Sequence, residues 1–296
     1  MPIGLVLGLG AAGAWGLTDV CATLGGKRLG SLRVLAASQL VGFGFIAILA
    51  FARGEGLPSD PGATLVAVLV GLAGTGAYLS FFTALRIGPL AVVSPITAAY
   101  GGLTVVLAVV LTGERLTALQ AVGAVVATAG VVLAGLVFDG GIRHAHIVGR
   151  GVGFAIVALV LFAVMTIGAA GPIRAVGWLP VIYVGRLTSA IVSVSLLAIA
   201  LRLRPSWMSP LMEAPEVRTR GALAAAGLAG LLDAAGLVSF SIGLQVSETW
   251  LVGLASSFGP AVAVLVAIAV LGERLRPTQW LGLAGIGLGL VVVAVG

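Results

Sequence analysis

Three ionisable residues of this chain stand in stretches that are otherwise almost wholly apolar: Asp233, in Gly230-Leu231-Leu232-Asp233-Ala234-Ala235-Gly236, then Arg186 and Asp19. Near the centre of a bilayer a charged side chain costs about 2.5–3.5 kcal/mol on insertion scales unless it is partnered or hydrated. Asp233 and Arg186 admit two chemistries. Facing a shared aqueous cavity, Arg186 would anchor an anionic or carboxylate-bearing substrate while Asp233 took up and released a proton during turnover. Alternatively, the two would form a structural ion pair locking the seventh and eighth spans, costly to break with or without transport. Asp19 lies about 9 Å from the middle of the first span at a helical rise of about 1.5 Å per residue. It is a second candidate for proton coupling, or else a solvated end residue, since Lys27 follows eight positions later.

The elements that must position these residues are ten apolar stretches of about 18 to 25 residues, a length that suits a hydrocarbon slab about 30 Å thick. They cover residues 3–24, 32–51, 64–85, 90–111, 118–138, 152–170, 179–201, 222–244, 249–271 and 278–295. The expected fold is an all-α polytopic membrane protein. With 60% apolar and 9% charged residues the chain lies far outside the globular range, and its connections are too short for a soluble domain. The longest, 202–221, contains three prolines and reads as a surface loop. A formal charge of +6 invites a nucleic-acid partner, but the basic residues sit one to four at a time at span ends, where anchoring in lipid explains them. The partners expected are membrane lipid and a small-molecule substrate, with no nucleic acid.

Cys21 is the single cysteine, and His144 and His146 have no carboxylate or cysteine company. No disulfide, metal or other cofactor is therefore expected. Neither a P-loop, a dinucleotide fingerprint nor a Gly-x-Ser-x-Gly motif occurs, so transport would be driven by a gradient or passive. The first span lacks a basic leader and is too long for a cleaved signal, so it reads as a retained helix.

Shifting the chain by 159 residues aligns residues 71–137 with 230–296 without a gap. The sharpest match is G-E-R-L-x3-Q-x2-G-x6-G, present as Gly113-Glu114-Arg115-Leu116, Gln120, Gly123, Gly130 and as Gly272-Glu273-Arg274-Leu275, Gln279, Gly282, Gly289. Five spans is an odd number, so the second copy must enter the bilayer from the opposite face. Such inverted repeats place a substrate site between the halves near the midplane. The units are residues 1–138, a connecting loop at 139–151, and residues 152–296.

These residues resemble the drug/metabolite transporter superfamily, in its ten-helix EamA-type branch. Trp15-Gly16 is similar to the family's Trp-Gly pair, and Pro260, thirteen residues before Glu273, to its penultimate-helix proline. The first half departs there: Gly101 aligns with Pro260, and its prolines are Pro89 and Pro95. The resemblance implies transport of amino acids, metabolites or drugs, often by proton exchange.

Candidates for substrate contact are Arg186, Trp15, Tyr100, Tyr78, Tyr183, Gln39, Ser256 and Ser257, with Phe82, Thr166 and Ser239 also inside spans. Trp15 is favoured by the resemblance, Tyr100 by its place one residue before the Pro260-equivalent position. For each, ordinary packing between helices is the competing reading. Pro95 and Pro260 each remove a backbone donor and so suit lining helices or gating hinges. The turns carrying Glu114, Arg115, Glu273 and Arg274 read as architectural: each Glu precedes the last helix of its half, whose positive N-terminal dipole suits a carboxylate, and it can also pair with its neighbouring Arg or another loop. Gly4/Gly8 and Gly285/Gly289 have the small-xxx-small spacing of close helix packing, which suits tight bundling or a homodimer through the final helix.

The function expected is secondary active transport of small metabolites, amino acids or drugs by alternating access, as a proton-coupled exporter or antiporter. The place expected is the cell (inner) membrane. Rivals are a passive facilitator or channel of the same fold and a lipid-modifying integral-membrane enzyme; the latter lacks a catalytic cluster near an interface, and the chain reads as no enzyme. Odd-numbered connections carry twelve of the sixteen Lys and Arg residues, even-numbered ones three. By the positive-inside rule both termini lie outside. The resemblance suggests the reverse, and a reporter fused to Gly296 decides between them.

Overall fold

The computed structural model describes residues 3–88, 93, 96–135, 150–214, 220–259, 261–262 and 277–296, and among these there is helix and turn but no strand. Pro95, Pro260, Glu273, Arg274, His144 and His146 lie outside the described residues. The first repeat contributes α1 (Ile3–Leu29), α2 (Ser31–Arg53), α3 (Pro61–Ile87), α4 (Tyr100–Leu107, prolonged by a π-helical turn Ala108–Thr112) and α5 (Ala118–Gly135). The second contributes α6 (Arg150–Val176), α7 (Trp178–Leu203), α8 (Arg220–Val246), α9 (Thr249–Ser256) and α10 (Pro277–Val295). Helices are the form in which an apolar chain satisfies its own backbone polar groups within lipid. α1, α2, α3, α6, α7 and α8 are each long and apolar enough to cross a bilayer, and α4, α5 and α10 are shorter apolar helices. Large apolar side chains such as Ile48, Val110, Val125 and Val291 stand exposed on the outside, as a lipid-facing surface requires.

Helix boundaries reveal a second register in the repeat. Ile3 to Arg150 and Ser31 to Trp178 are shifts of 147 residues, whereas Pro61 to Arg220 is a shift of 159. Of the 12 extra residues, three lengthen α7 and nine fall in the connection after it. In each half the first two helices are separated by one glycine at positive φ, Gly30 at 83° and Gly177 at 94°, a conformation an L side chain resists. The connection after α7 is less loop-like than its prolines suggest. Ser206–Met208 forms a 3-10 turn and Ser209–Met212 a further helical turn. Met208 is buried in one cluster with Leu29 and Leu32, and that apolar anchor draws the segment onto the ends of α1 and α2.

The packing obeys an internal two-fold axis. α1 lies on α8 and α3 on α6, while α2 meets α7, α4 meets α9 and α5 meets α10. In the last pair a Cβ on Gly130 would stand 2.8 Å from the Gly282 carbonyl oxygen, and one on Gly289 2.7 Å from that of Gly123. Gly123 and Gly282 are equivalent, as are Gly130 and Gly289, so each meets the other's counterpart and equivalent helices run antiparallel. The repeats are inverted. Gly285 likewise faces Gly130, so the small-residue stripe of α10 packs on α5 within the chain.

Contacts between connections confirm the alternation of faces. The Arg33 guanidinium donates to the Met212 carbonyl at 3.1 Å and that of Arg86 lies 3.7 Å from Glu213, which gathers the first, third and seventh connections on one face. Glu114, Arg174 and Thr249 meet on the opposite face, where Arg53 also sits 5.9 Å from the Trp178 ring. The first is the basic face of the charge count.

Candidate functional site

Asp233 is the central residue of α8, and Arg186 is the ninth residue of α7. Their side chains are 3% and 5% exposed and join as an ion pair, Arg186 Nη2 to Asp233 Oδ2 at 2.5 Å. The Tyr78 hydroxyl donates to the other carboxylate oxygen at 2.5 Å, and Arg186 Nη1 donates to Gln39 Oε1 at 2.7 Å. The guanidinium also lies 5.8 Å from the Tyr78 ring centre. Trp15 Nε1 donates to the Asp233 carbonyl at 3.3 Å, with the indole seated where a Cβ on Gly236 would come within 2.7 Å of that nitrogen. Five helices, α1, α2, α3, α7 and α8, are thus tied at one point. Gln39 is the ninth residue of α2, so it is the counterpart of Arg186, and the two clasp each other across the two-fold axis.

Two cavities flank this cluster. The first, about 70 Å³, has Asp233 and Tyr78 in its wall and extends along the parts of α1 and α3 nearer the basic face. The second, about 50 Å³, has Arg186, Tyr78 and Ser241 in its wall and lies toward the opposite face. The ion pair therefore presents its acid to one cavity and its base to the other, with Tyr78 in the partition. Both are smaller than the few hundred Å³ of a typical ligand pocket.

Most of the first cavity's wall comes in equivalent pairs, one residue from each repeat: Trp15 with Phe162, Thr18 with Met165, Asp19 with Thr166, Thr97 with Ser256, Ala98 with Ser257 and Tyr100 with Gly259. The cavity lies on the internal axis. Phe162 is its aromatic hub, with ring centres of Tyr78, Tyr100 and Phe81 at 5.1, 5.8 and 6.1 Å. Tyr100 and Ser256 share a hydrogen bond at 2.8 Å. The Thr97 hydroxyl is buried without a partner among the described residues.

Asp19 is closer to the middle of its helix than its sequence suggests. Because α1 continues through Lys27 to Leu29, Asp19 is three residues past the helix centre, about 4.5 Å at the helical rise. It stands in the cavity wall rather than at a solvated end, and no described residue bonds or pairs with its carboxylate.

Of the other sequence candidates, Ser257 and Thr166 line the first cavity. Tyr183 packs on Phe43 at 5.7 Å, Phe82 is in a core cluster and Ser239 bonds the Leu7 carbonyl at 2.7 Å. None of these last three lines either central cavity. Sequence reasoning missed Phe162, Phe81 and Thr97. A signal for Phe162 existed, since it stands 147 residues after Trp15.

A second charged cluster closes the face opposite the basic one. Glu114 accepts from the amides of Thr249 and Trp250, each at 3.0 Å, and from Arg174 at 3.2 Å. The carboxylate does meet a helix N-terminus, but that of α9 in the other repeat rather than that of α5. The start of α5 is capped instead by Thr117 and Gln120, which bond each other's backbone amides at 3.1 and 2.9 Å. Arg174 also holds the carbonyls of Leu244 and Ser247 at 3.1 and 2.9 Å. Burial pushes the Glu114 carboxyl up, but the amides of Trp250 and Thr249, the Thr249 hydroxyl and Arg174 outweigh it and hold the group below its ordinary range.

The model of the EamA-like transporter family matches residues 2–136 and again residues 149–295. A solved structure described only as "Crystal structure of protein" aligns with a TM-score of 0.79 at 20% identity, covering 99% of this chain and 96% of that one. At that identity the likeness bears on the fold alone. No curated protein matches the chain.

Proposed function

The chain belongs to the EamA-like transporter family, and from that membership we propose a secondary active transporter of the cell (inner) membrane that moves small metabolites, amino acids or drugs by alternating access, coupled to protons. The observation that carries the reading is the first cavity, walled by equivalent residues of two inverted repeats and bordered by the acid of a buried ion pair. Rocking one repeat against the other would open such a cavity to each face in turn. In this reading Asp233 and Arg186 form the pivot of the partition. Their charges are already answered by each other, Tyr78 and Gln39. Asp19 is the carboxylate left to exchange a proton, with Trp15, Tyr100, Ser256 and Ser257 as cargo contacts.

Proteoliposome uptake of amino acids, sugars and cationic dyes, with and without a pH gradient, tests the reading. Wild-type flux should follow the gradient, and Asp19→Asn should uncouple it while the protein remains folded. Flux indifferent to the gradient would make the protein a passive facilitator. Gradient-driven flux retained by Asp19→Asn would remove Asp19 from the coupling.

A further inference from the structure

Resting on that transporter reading, we propose that the cargo is a small organic cation, an ammonium group on an apolar body, received by Asp19 between the rings of Phe162, Tyr78 and Tyr100. Three observations converge on this class. The Asp19 carboxyl stands in the cavity wall with no bond or ion pair to any described residue. Arg186, the positive group of the core, has both terminal nitrogens engaged and borders only the second cavity. When Asp19 gives up its proton beside the Asp233–Arg186 pair, the core holds one negative charge in excess. A bound cation restores neutrality, whereas a bound anion would double the imbalance in a medium of low dielectric.

The walls match the same ligand. Ring faces attract cations through their quadrupoles and otherwise offer apolar surface, and Phe162 gathers three further rings within about 6 Å. The hydroxyl of Thr97, a residue 5% exposed, is unpartnered among the described residues and supplies an acceptor for an ammonium N–H. A buried hydroxyl without a partner is unfavourable, and an ammonium donor relieves it. Among the described residues the second cavity has no carboxylate in its wall, so the preference belongs to the first.

The test uses the full-length protein in detergent with three probes of nearly equal size: 2-phenylethylammonium, phenylacetate and 2-phenylethanol. Equilibrium binding should favour the cation over both others by about tenfold or more. Asp19→Asn should lower cation affinity by at least about tenfold, and Asp19→Glu should retain most of it. Size-exclusion profiles of the variants establish that they are folded. Equal binding of the three probes, no binding of the cation, or undiminished cation binding by folded Asp19→Asn overturns the inference. Failure of every solute in the wider uptake panel strikes instead at the transporter reading, so the two failures are distinguishable.

Discussion

Two clusters of opposite charge hold this molecule together, and they do so by different physics. At the midplane Arg186 and Asp233 answer each other, with Tyr78 and Gln39 completing their shells, and both side chains are almost wholly out of solvent. At the face opposite the basic one, Glu114 is held chiefly by backbone amides at the start of α9, beside an Arg174 that is 38% exposed. Water can replace the partners of the second cluster and cannot easily reach those of the first. The midplane cluster is thus a fixed joint, the other a latch between repeats that can open at modest cost.

Breaking the joint should have the largest effect. Asp233→Ala leaves Arg186 buried and unanswered, and should lower stability in detergent by about 3–5 kcal/mol; replacing both partners by apolar residues, as in Arg186→Met with Asp233→Leu, should recover much of it. A double variant no more stable than the single one would refute the joint. Tyr78→Phe removes one hydrogen bond to the buried carboxylate and should cost about 1.5–3 kcal/mol by the same thermal unfolding. Glu114→Ala should cost less, about 1–2 kcal/mol, because water takes over the freed amides. If it cost as much as Asp233→Ala, the contrast between joint and latch would be void. The pH sign sharpens the contrast further. The Glu114 carboxyl is held below its ordinary value, so its stabilisation is present above the usual carboxylate range and is lost as pH falls through the lowered value. The stability difference between wild type and Glu114→Gln should therefore shrink on acidification; a constant difference would mean Glu114 acts by packing. The smallest effect is expected at the start of α5, where Thr117→Ala removes half of a capping box for about 1 kcal/mol.

Much of the frame was legible in the residues. Ten spans, an inverted duplication and a midplane acid and base follow from hydropathy, spacing and composition, and the family match and the packing agree with the first two. The two readings of Arg186 and Asp233 could not be separated in sequence, because pairing depends on how α7 and α8 turn toward each other. The sequence puts Asp19 near an interface because Lys27 and Arg28 look like the end of a span, whereas α1 runs on to Leu29. The cross-repeat partner of Glu114 was illegible for a related reason. A carboxylate announces that it suits a helix N-terminus, but not which helix is near. The 147-residue register was readable in principle, and the 12 residues added between the starts of α7 and α8 hid it from a search at a single shift.

That register gives the clasp between Gln39 and Arg186 a wider meaning. A dimer of identical protomers must present the same residue on both sides of its axis, so an arginine there would confront its own copy. Joining the protomers end to end lifts that rule. One side can carry a cation while the other offers a neutral amide, and the same licence lets an aspartate face a threonine across the cavity. A lopsided centre in a symmetric scaffold is something a fused chain can encode and a self-assembled pair cannot.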